Sequence, residues 1–211
     1  MSIKAAIFDV DGTLINSLII WDVIWTKIGE KYLGNPDFRP NKEDDKAVRT
    51  MTLGLAMQYI QEKYHLADTI EELVEDTHRI VKEFYANDVE VKPGVMEFLE
   101  YCKAKKIKMC IASATEMELL QVAVERCGLK PYFDKIFSCG MIGKGKDKPD
   151  IFLLAKDYLN EENENICIFE DSLVAIETAI RVGMKTVAIY DDNNYGQERM
   201  QAIADLYINK E

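Results

Sequence analysis

Ile3-Lys4-Ala5-Ala6-Ile7-Phe8 runs directly into Asp9-Val10-Asp11-Gly12-Thr13, so an apolar stretch ends on two carboxylates. A short run of this kind reads as a strand of a parallel sheet covered on both faces. Open sheets of that class take their ligands at the carboxyl ends of the strands. Residues two apart on an extended chain point the same way, so Asp9 and Asp11 can share one small space, and Gly12 lets the backbone turn sharply. The alternative is a strand closed by an ordinary Asp-Gly turn. The rest of the chain decides between them.

From about residue 91 onward, apolar runs alternate with amphipathic stretches. Ile107 to Ala112, Lys135 to Ser138, Ile166 to Phe169 and Thr186 to Ile189 read as strands with helices between them, the pattern of an α/β parallel sheet. Pro93 and Pro149 suit first helical turns, Gly128 and Gly183 follow helical patterns, and Thr115 with Glu118 reads as a capping box. Between Leu14 and about Glu90 the pattern changes to three helical stripes: Trp21, Trp25, Ile28, Tyr32; Leu53, Met57, Ile60, Tyr64; and Ile70, Leu73, Val74, Thr77, Ile80, Val81, Phe84. Thr69 with Glu72 is placed to cap the third. The expected organisation is a core of residues 1–14 and 91–211, with a helical domain of residues 15–90 inserted after the first strand. The polar stretch Asn35 to Asp45 reads as a loop. The two tryptophans are expected mainly in the helical core, and His65 and His78 lack the partners of a metal site.

At 211 residues the chain can bury roughly 70% of its unfolded surface and needs no staple to fold. Thirty-seven acidic against 26 basic residues, a formal charge of −11, argue against nucleic acid, which is held by clustered Lys and Arg. Five cysteines without a Cys-x-x-Cys pair suggest neither a disulfide framework nor a zinc site. No apolar stretch approaches the ~18 residues of a membrane span and no leader is evident, so a soluble, cytoplasmic protein is expected. Oligomeric state is not readable.

Three further strand ends carry reactive groups: Ser113 after the Cys110-Ile111 strand, Lys144, Lys146 and Lys148 after the Lys135 to Ser138 strand, and Glu170-Asp171-Ser172 after Ile168-Phe169. Phosphoryl transfer wants these parts, because its catalysis is largely positioning and charge stabilisation around an in-line displacement. An aspartate can attack phosphorus and split one hard hydrolysis into two easier steps. Mg²⁺ prefers oxygen ligands, and Glu170 and Asp171 add carboxylates to the first pair. A lysine can neutralise the phosphate and Ser113 can donate to a phosphoryl oxygen. Asp11 is then available to give a proton to the leaving alkoxide and later take one from water. Ser172 reads equally as a helix cap or a phosphate contact.

These segments, Phe8-Asp9-Val10-Asp11-Gly12-Thr13-Leu14, Ile111-Ala112-Ser113-Ala114-Thr115, Gly145-Lys146-Asp147-Lys148-Pro149-Asp150 and Phe169-Glu170-Asp171-Ser172 running to Gly183-Met184, resemble the haloacid dehalogenase-like superfamily. The resemblance spans essentially the whole chain and is nearest the phosphoglycolate phosphatase and β-phosphoglucomutase branch. It implies an α/β fold, a Rossmann-like parallel sheet with an inserted, mobile α-helical cap whose closure excludes water. It also implies Asp9 as nucleophile, Asp11 as acid and base, Lys146 as the charge-neutralising lysine, and Ser113 with Ala114 at the substrate phosphate. Mg²⁺ would be held by Asp9, the Asp11 carbonyl and Asp171, with Glu170 as a further or water-mediated ligand. The family's lysine run is Lys-Pro-x-Pro-Asp; here Asp147 replaces the first proline and Lys148 stays an alternative to Lys146. Ala175 stands where the family has glycine.

The expected activity is a Mg²⁺-dependent phosphatase acting on a small phosphorylated metabolite through an aspartyl-phosphate. The alternatives are a β-phosphoglucomutase-like mutase and a non-catalytic binding protein. The mutase branch places a histidine in the first cap helix where this chain has Trp21. The binding reading would be expected to come with loss of the nucleophile, the lysine or an acid, and all are present.

Overall fold

The computed structural model describes residues 3–49, 51–67 and 69–210. Six strands form one sheet: β1 (Ala5–Phe8), β2 (Lys108–Ser113), β3 (Ile136–Ser138), β4 (Ile166–Glu170), β5 (Lys185–Ile189) and β6 (Leu206–Ile208). Their order is β3-β2-β1-β4-β5-β6 and every pairing is parallel. This is a Rossmann-type order, in which the chain steps to opposite sides of β1 and opens a crevice at the carboxyl ends there. All four residues of β1 are buried, which is why its sequence is uniformly apolar rather than alternating. Phe8 stands level with Ile111 on one side and Phe169 on the other, so the residues after these strands emerge at one edge. The short strand β6 is not among the strands expected from sequence. Its Leu206 and Ile208 are exposed and three residues carry little pattern.

Two compact units divide the chain, one formed by residues up to Leu18 together with those from Val89 onward, the other by Ile19–Asp88. Residues 15–18 stay with the first unit because the outgoing and returning segments pair: Ile15 bridges Val91, the Asn16 amide donates to Glu90 O at 2.8 Å and the Lys92 amide to Leu14 O at 2.9 Å.

In this unit the helices are α5 (Val95–Ala104), α6 (Met117–Arg126), α7 (Cys139–Ile142), α8 (Asp150–Leu159), α9 (Leu173–Arg181) and α10 (Gln197–Ile203), following the four helices of the other unit in chain order. Ile151, Phe152, Ala155 and Leu159 of α8 and Ala175 and Ala179 of α9 join Ile7, Cys110, Ala112 and Ile168 in one buried cluster. Ala175 is fully buried there, so its methyl group is packed as part of the core. Phe8, Phe98, Phe133 and Phe169 form an aromatic cluster, with Phe8 stacked on Phe169 at 4.6 Å and edge-on to Phe133 at 5.6 Å. Such pairs add about 1 kcal/mol each beyond area burial. The five cysteines are free thiols.

The unit Ile19–Asp88 holds α1 (Ile20–Leu33), α2 (Lys42–Val48), α3 (Leu53–Tyr64) and α4 (Ile70–Asn87). Helix α4 packs on α1 and α3, burying Leu73, Thr77, Ile80, Val81 and Phe84. Thr69 Oγ1 accepts the Glu72 amide at 3.2 Å, the expected cap. Trp25 is buried and Trp21 half-buried beside it. The stretch read as a loop from Asn35 to Asp45 needs correction, because residues 42–48 are helix α2. Asn41 caps it, its side-chain oxygen accepting the Glu43 and Asp44 amides at 3.0 and 2.9 Å. Lys42-Glu43-Asp44-Asp45-Lys46 has no apolar stripe; tertiary partners of Asp44, not periodicity, hold this helix.

No helix among the described residues is long and apolar enough to cross a membrane.

Candidate active site at the carboxyl edge of the sheet

The Asp9 amide donates to Phe169 O at 3.0 Å, carrying the β1–β4 ladder one residue past Phe8 and setting Asp9 beside Glu170. The chain then turns: the Leu14 amide donates to Val10 O at 2.9 Å and the Gly12 amide to Ile15 O at 3.0 Å. Gly12 adopts φ 74°, and a Cβ there would collide with the Asp171 carboxylate. Glycine is therefore required twice, for the left-handed backbone and for the close approach of the Asp9–Thr13 loop to the end of β4.

Asp9, Glu170 and Asp171 are all buried and present carboxylate oxygens within 4.8 Å of one another. The Lys146 ammonium donates to Asp9 Oδ1 and, at 2.5 Å, to Glu170 Oε1. Glu170 Oε2 accepts the amides of Asp171 and Ser172 at 2.9 and 3.1 Å, just before α9. Ser172 occupies the N-cap position of α9 without a side-chain cap bond. Asp171 accepts from Thr13 Oγ1 at 3.4 Å and from Asn194 Nδ2 at 2.5 Å.

Of the three loop lysines, Lys146 is 9% exposed at its side chain and reaches the carboxylates. Lys144 pairs with Asp150 and Lys148 with Asp147 at 3.5 Å, both lysines being exposed. The Gly145–Lys148 turn, closed by the Lys148 amide on Gly145 O at 3.1 Å, separates the three lysines.

Asp11, outside that trio, accepts two hydroxyls, Ser17 Oγ on Oδ1 and Thr115 Oγ1 on Oδ2, each at 2.7 Å. Here the sequence reading of Thr115 fails. Helix α6 begins at Met117 with Glu116 at the N-cap and no side-chain cap bond, so Thr115 and Glu118 form no capping box. Two residues past β2, the Thr115 hydroxyl is spent on Asp11 instead, while Ser138 Oγ fixes its carbonyl at 2.7 Å. Ser113 is buried at the end of β2, its Oγ accepting the Thr115 amide at 3.0 Å. Ala114 between them is exposed.

The charges do not balance within the cluster. Burial, then the Glu170 charge, push the Asp9 carboxyl up to about 8 in spite of Lys146. Burial and the charges of Glu170 and Asp9 likewise hold Asp171 well above the usual carboxylate range. Burial opposes the Lys146 charge, yet Asp9 and Glu170 outweigh it and keep the ammonium protonated. Buried like charges retain protons unless a cation enters. An all-carboxylate set of oxygens suits a hard divalent ion, so the cluster can hold a metal ion on Asp9, Glu170 and Asp171.

Sequence reading singles out neither Thr115 and Ser17 as partners of Asp11 nor Thr13 and Asn194 as partners of Asp171. The signal for Asn194 is a fifth polar strand end, Asp191-Asp192-Asn193-Asn194, just after β5.

A family model described as haloacid dehalogenase-like hydrolase matches residues 3–183. A protein of Thermotoga maritima named "Phosphorylated carbohydrates phosphatase" is 26% identical over 210 residues, covering 99% of this chain and 95% of that protein. The crystal structure of CbbY from Rhodobacter sphaeroides with phosphate superposes with a TM-score of 0.81 at 22% identity, covering 98% of this chain and 93% of the other. A second CbbY structure, with xylulose-1,5-bisphosphate, also has a TM-score of 0.81, at 21% identity over the same shares of the two chains.

Proposed function

This chain belongs to the haloacid dehalogenase-like hydrolase family, and we propose that it works there as a Mg²⁺-dependent phosphatase of a small phosphorylated metabolite, through an aspartyl-phosphate on Asp9. The observation that carries the reading is the division of labour among the carboxylates: Lys146 bridges Asp9 and Glu170 beside Asp171, while Asp11 sits on its own pair of hydroxyls.

An Asp9 carboxylate oxygen attacks phosphorus; a P–O bond to Asp9 forms as the ester P–O bond breaks. The leaving alkoxide takes a proton from Asp11, which must first exchange its Ser17 or Thr115 bond for the leaving oxygen. Water then attacks the same phosphorus, Asp11 recovers a proton, and phosphate leaves with Asp9 regenerated. Lys146 pulls the Asp9 carboxyl back towards ionisation against burial and Glu170, a bound cation would complete that, and the ammonium spreads the charge that builds on the phosphoryl oxygens. Ser113 and the Ala114 amide, at the end of β2, are the donors for the phosphoryl oxygens. Asp9, Asp171, Glu170 and the Asp11 carbonyl would hold Mg²⁺, which supplies a positive charge to the transferring phosphoryl group.

The helical unit Ile19–Asp88 is read as the cap that selects the substrate. The name of the Thermotoga relative favours a phosphorylated carbohydrate. Against the mutase reading stands Trp21, whose indole N–H offers no proton for transfer in the place where that branch has histidine.

The test is phosphate release from a panel of phosphorylated metabolites with Mg²⁺, with Asp9→Asn as blank and a parallel bisphosphate-dependent mutase assay. Metal-dependent release that vanishes in the blank supports the phosphatase. Interconversion of sugar phosphates without net release, or no turnover at all, sinks it.

A further inference from the structure

Resting on the metal-site reading above, we propose that Asn194 is a positioning residue for the metal carboxylate Asp171, and that the buried Lys92–Asp191 ion pair aims it. Asn194 Nδ2 donates to Asp171 twice, to the side-chain Oδ2 at 2.5 Å and to the main-chain O at 2.9 Å. Its amide orientation is determined from the other side, since Asn194 Oδ1 accepts the Tyr195 amide at 2.7 Å. The NH₂ group must then face Asp171, and one amide group locks both the backbone and the rotamer of that residue. Thr13 reaches the opposite oxygen, Oδ1, at a looser 3.4 Å. Of the two donors, Asn194 therefore has the firmer hold.

The turn that presents Asn194 is built on Asp191. The Asp191 carboxylate accepts the Asn193 amide at 2.8 Å, and its carbonyl accepts the Asn194 amide at 3.2 Å and Gln197 Nε2 at 3.1 Å. Asp191 is 4% exposed, and its charge is met by Lys92 at 2.7 Å. Lys92 also donates to Tyr190 O at 3.1 Å, so it grips the end of β5 at two points. Lys92 itself lies in the segment that returns from the inserted unit, where its amide bonds Leu14 O and its neighbour Val91 bridges Ile15. A continuous run of hydrogen bonds and one ion pair thus leads from the paired linkers through Lys92, Asp191 and Asn194 to Asp171. Removing an oriented partner of a ligand carboxylate leaves the ligand in place but lets it turn, which is how outer partners set metal affinity.

The measurement is thermal melting of the full-length protein, stripped with chelator and titrated with MgCl₂, giving the Mg²⁺ concentration of half-maximal stabilisation. The Mg²⁺ dependence of p-nitrophenyl phosphate turnover is read alongside. Asn194→Ala is expected to need about tenfold more Mg²⁺ in both readouts, with kcat regained at saturating metal and KM for the ester unchanged. Asp191→Asn keeps the side-chain acceptor of the turn but loses the charge facing Lys92; it is expected to shift the midpoint the same way and by less, and it carries the test if Asn194→Ala does not fold. Lower metal-free melting with an unmoved Mg²⁺ midpoint in both variants would show that these residues only tie down a loop and would overturn the proposal. No Mg²⁺ stabilisation of the wild-type protein would overturn the metal-site reading and the proposal with it.

Discussion

Each unit buries carboxylates, and the two treat them in opposite ways. In the helical unit, Asp44 accepts from Tyr59 at 2.7 Å, Tyr64 at 2.8 Å, Asn41 Nδ2 at 2.8 Å and Lys63. The Lys63 and Tyr59 bonds hold its carboxyl down at about 2. Asp76 is caged likewise by Lys31, by Tyr32 at 2.5 Å and by Arg79 at 2.5 Å, and its carboxyl stays below the usual range although burial opposes it. In the sheet unit, Asp9 and Glu170 share Lys146 with Asp171 beside them, and Asp9 is driven up to about 8. A carboxylate saturated with donors holds a fold together. One left short of positive charge has room for a cation, as the Asp9, Glu170 and Asp171 oxygens do.

The largest effect should come from Asp9→Asn, which is expected to lower kcat by about 10⁴-fold or more, the scale for a lost nucleophile. The same variant sharpens the contrast in stability. A folded carboxyl raised from 3.8 to about 8 binds a proton that the unfolded chain has released, so it lowers stability progressively between about pH 4 and pH 8. Melting of the metal-free protein at pH 8 should therefore rise in Asp9→Asn, and the gain should fade by pH 4. An unchanged or lower melting point at pH 8 would break the comparison.

Asp11→Asn is expected to cost 10²- to 10⁴-fold in kcat, the range for general acid and base catalysis, and to remove one limb of the pH–rate profile. A retained limb would assign the proton elsewhere. In the helical unit the prediction reverses sign. Asp44 has its folded carboxyl lowered, so its stabilisation is complete above pH 4 and is lost as pH falls toward 2. Asp44→Asn should melt below wild type at pH 7, with the difference closing in acid, and with no change in the Mg²⁺ midpoint. Smallest of all, Ser17→Ala removes one of two hydroxyls on Asp11 and should change kcat about fivefold, one hydrogen bond's worth; a change as large as that of Asp11→Asn would mean Ser17 does more than hold it.

Much of the architecture was legible because burial and period leave marks on composition. β1, β2, β4 and β5 are apolar runs since both faces of a central strand are covered, and α1, α3 and α4 show stripes since one face is. Helix α2 and strand β6 left no such mark. The first is seven mostly charged residues held by Asn41 and the Asp44 cage; the second is three residues at a sheet edge with its apolar side chains exposed. At the site, the carboxylates and Lys146 were legible because each follows a strand and the strands share an edge. Thr115 reads as a cap from sequence because a hydroxyl two residues before a helix has a local use, and only the fold shows that Asp11, 104 residues away, takes it instead.

The sequence by itself therefore determined the α/β class, the sheet edge at which the reactive groups gather, and the type of chemistry those groups can perform. Each depends on residue type and local spacing. The tertiary structure alone decided that Lys146 bridges Asp9 from 137 positions away, that Ser17 and Thr115 hold Asp11, and that Asn194 grips Asp171. A hydroxyl or an amide has several local partners within reach in an unfolded chain, and which one it takes is settled only when folding brings distant strand ends together and buries the alternatives.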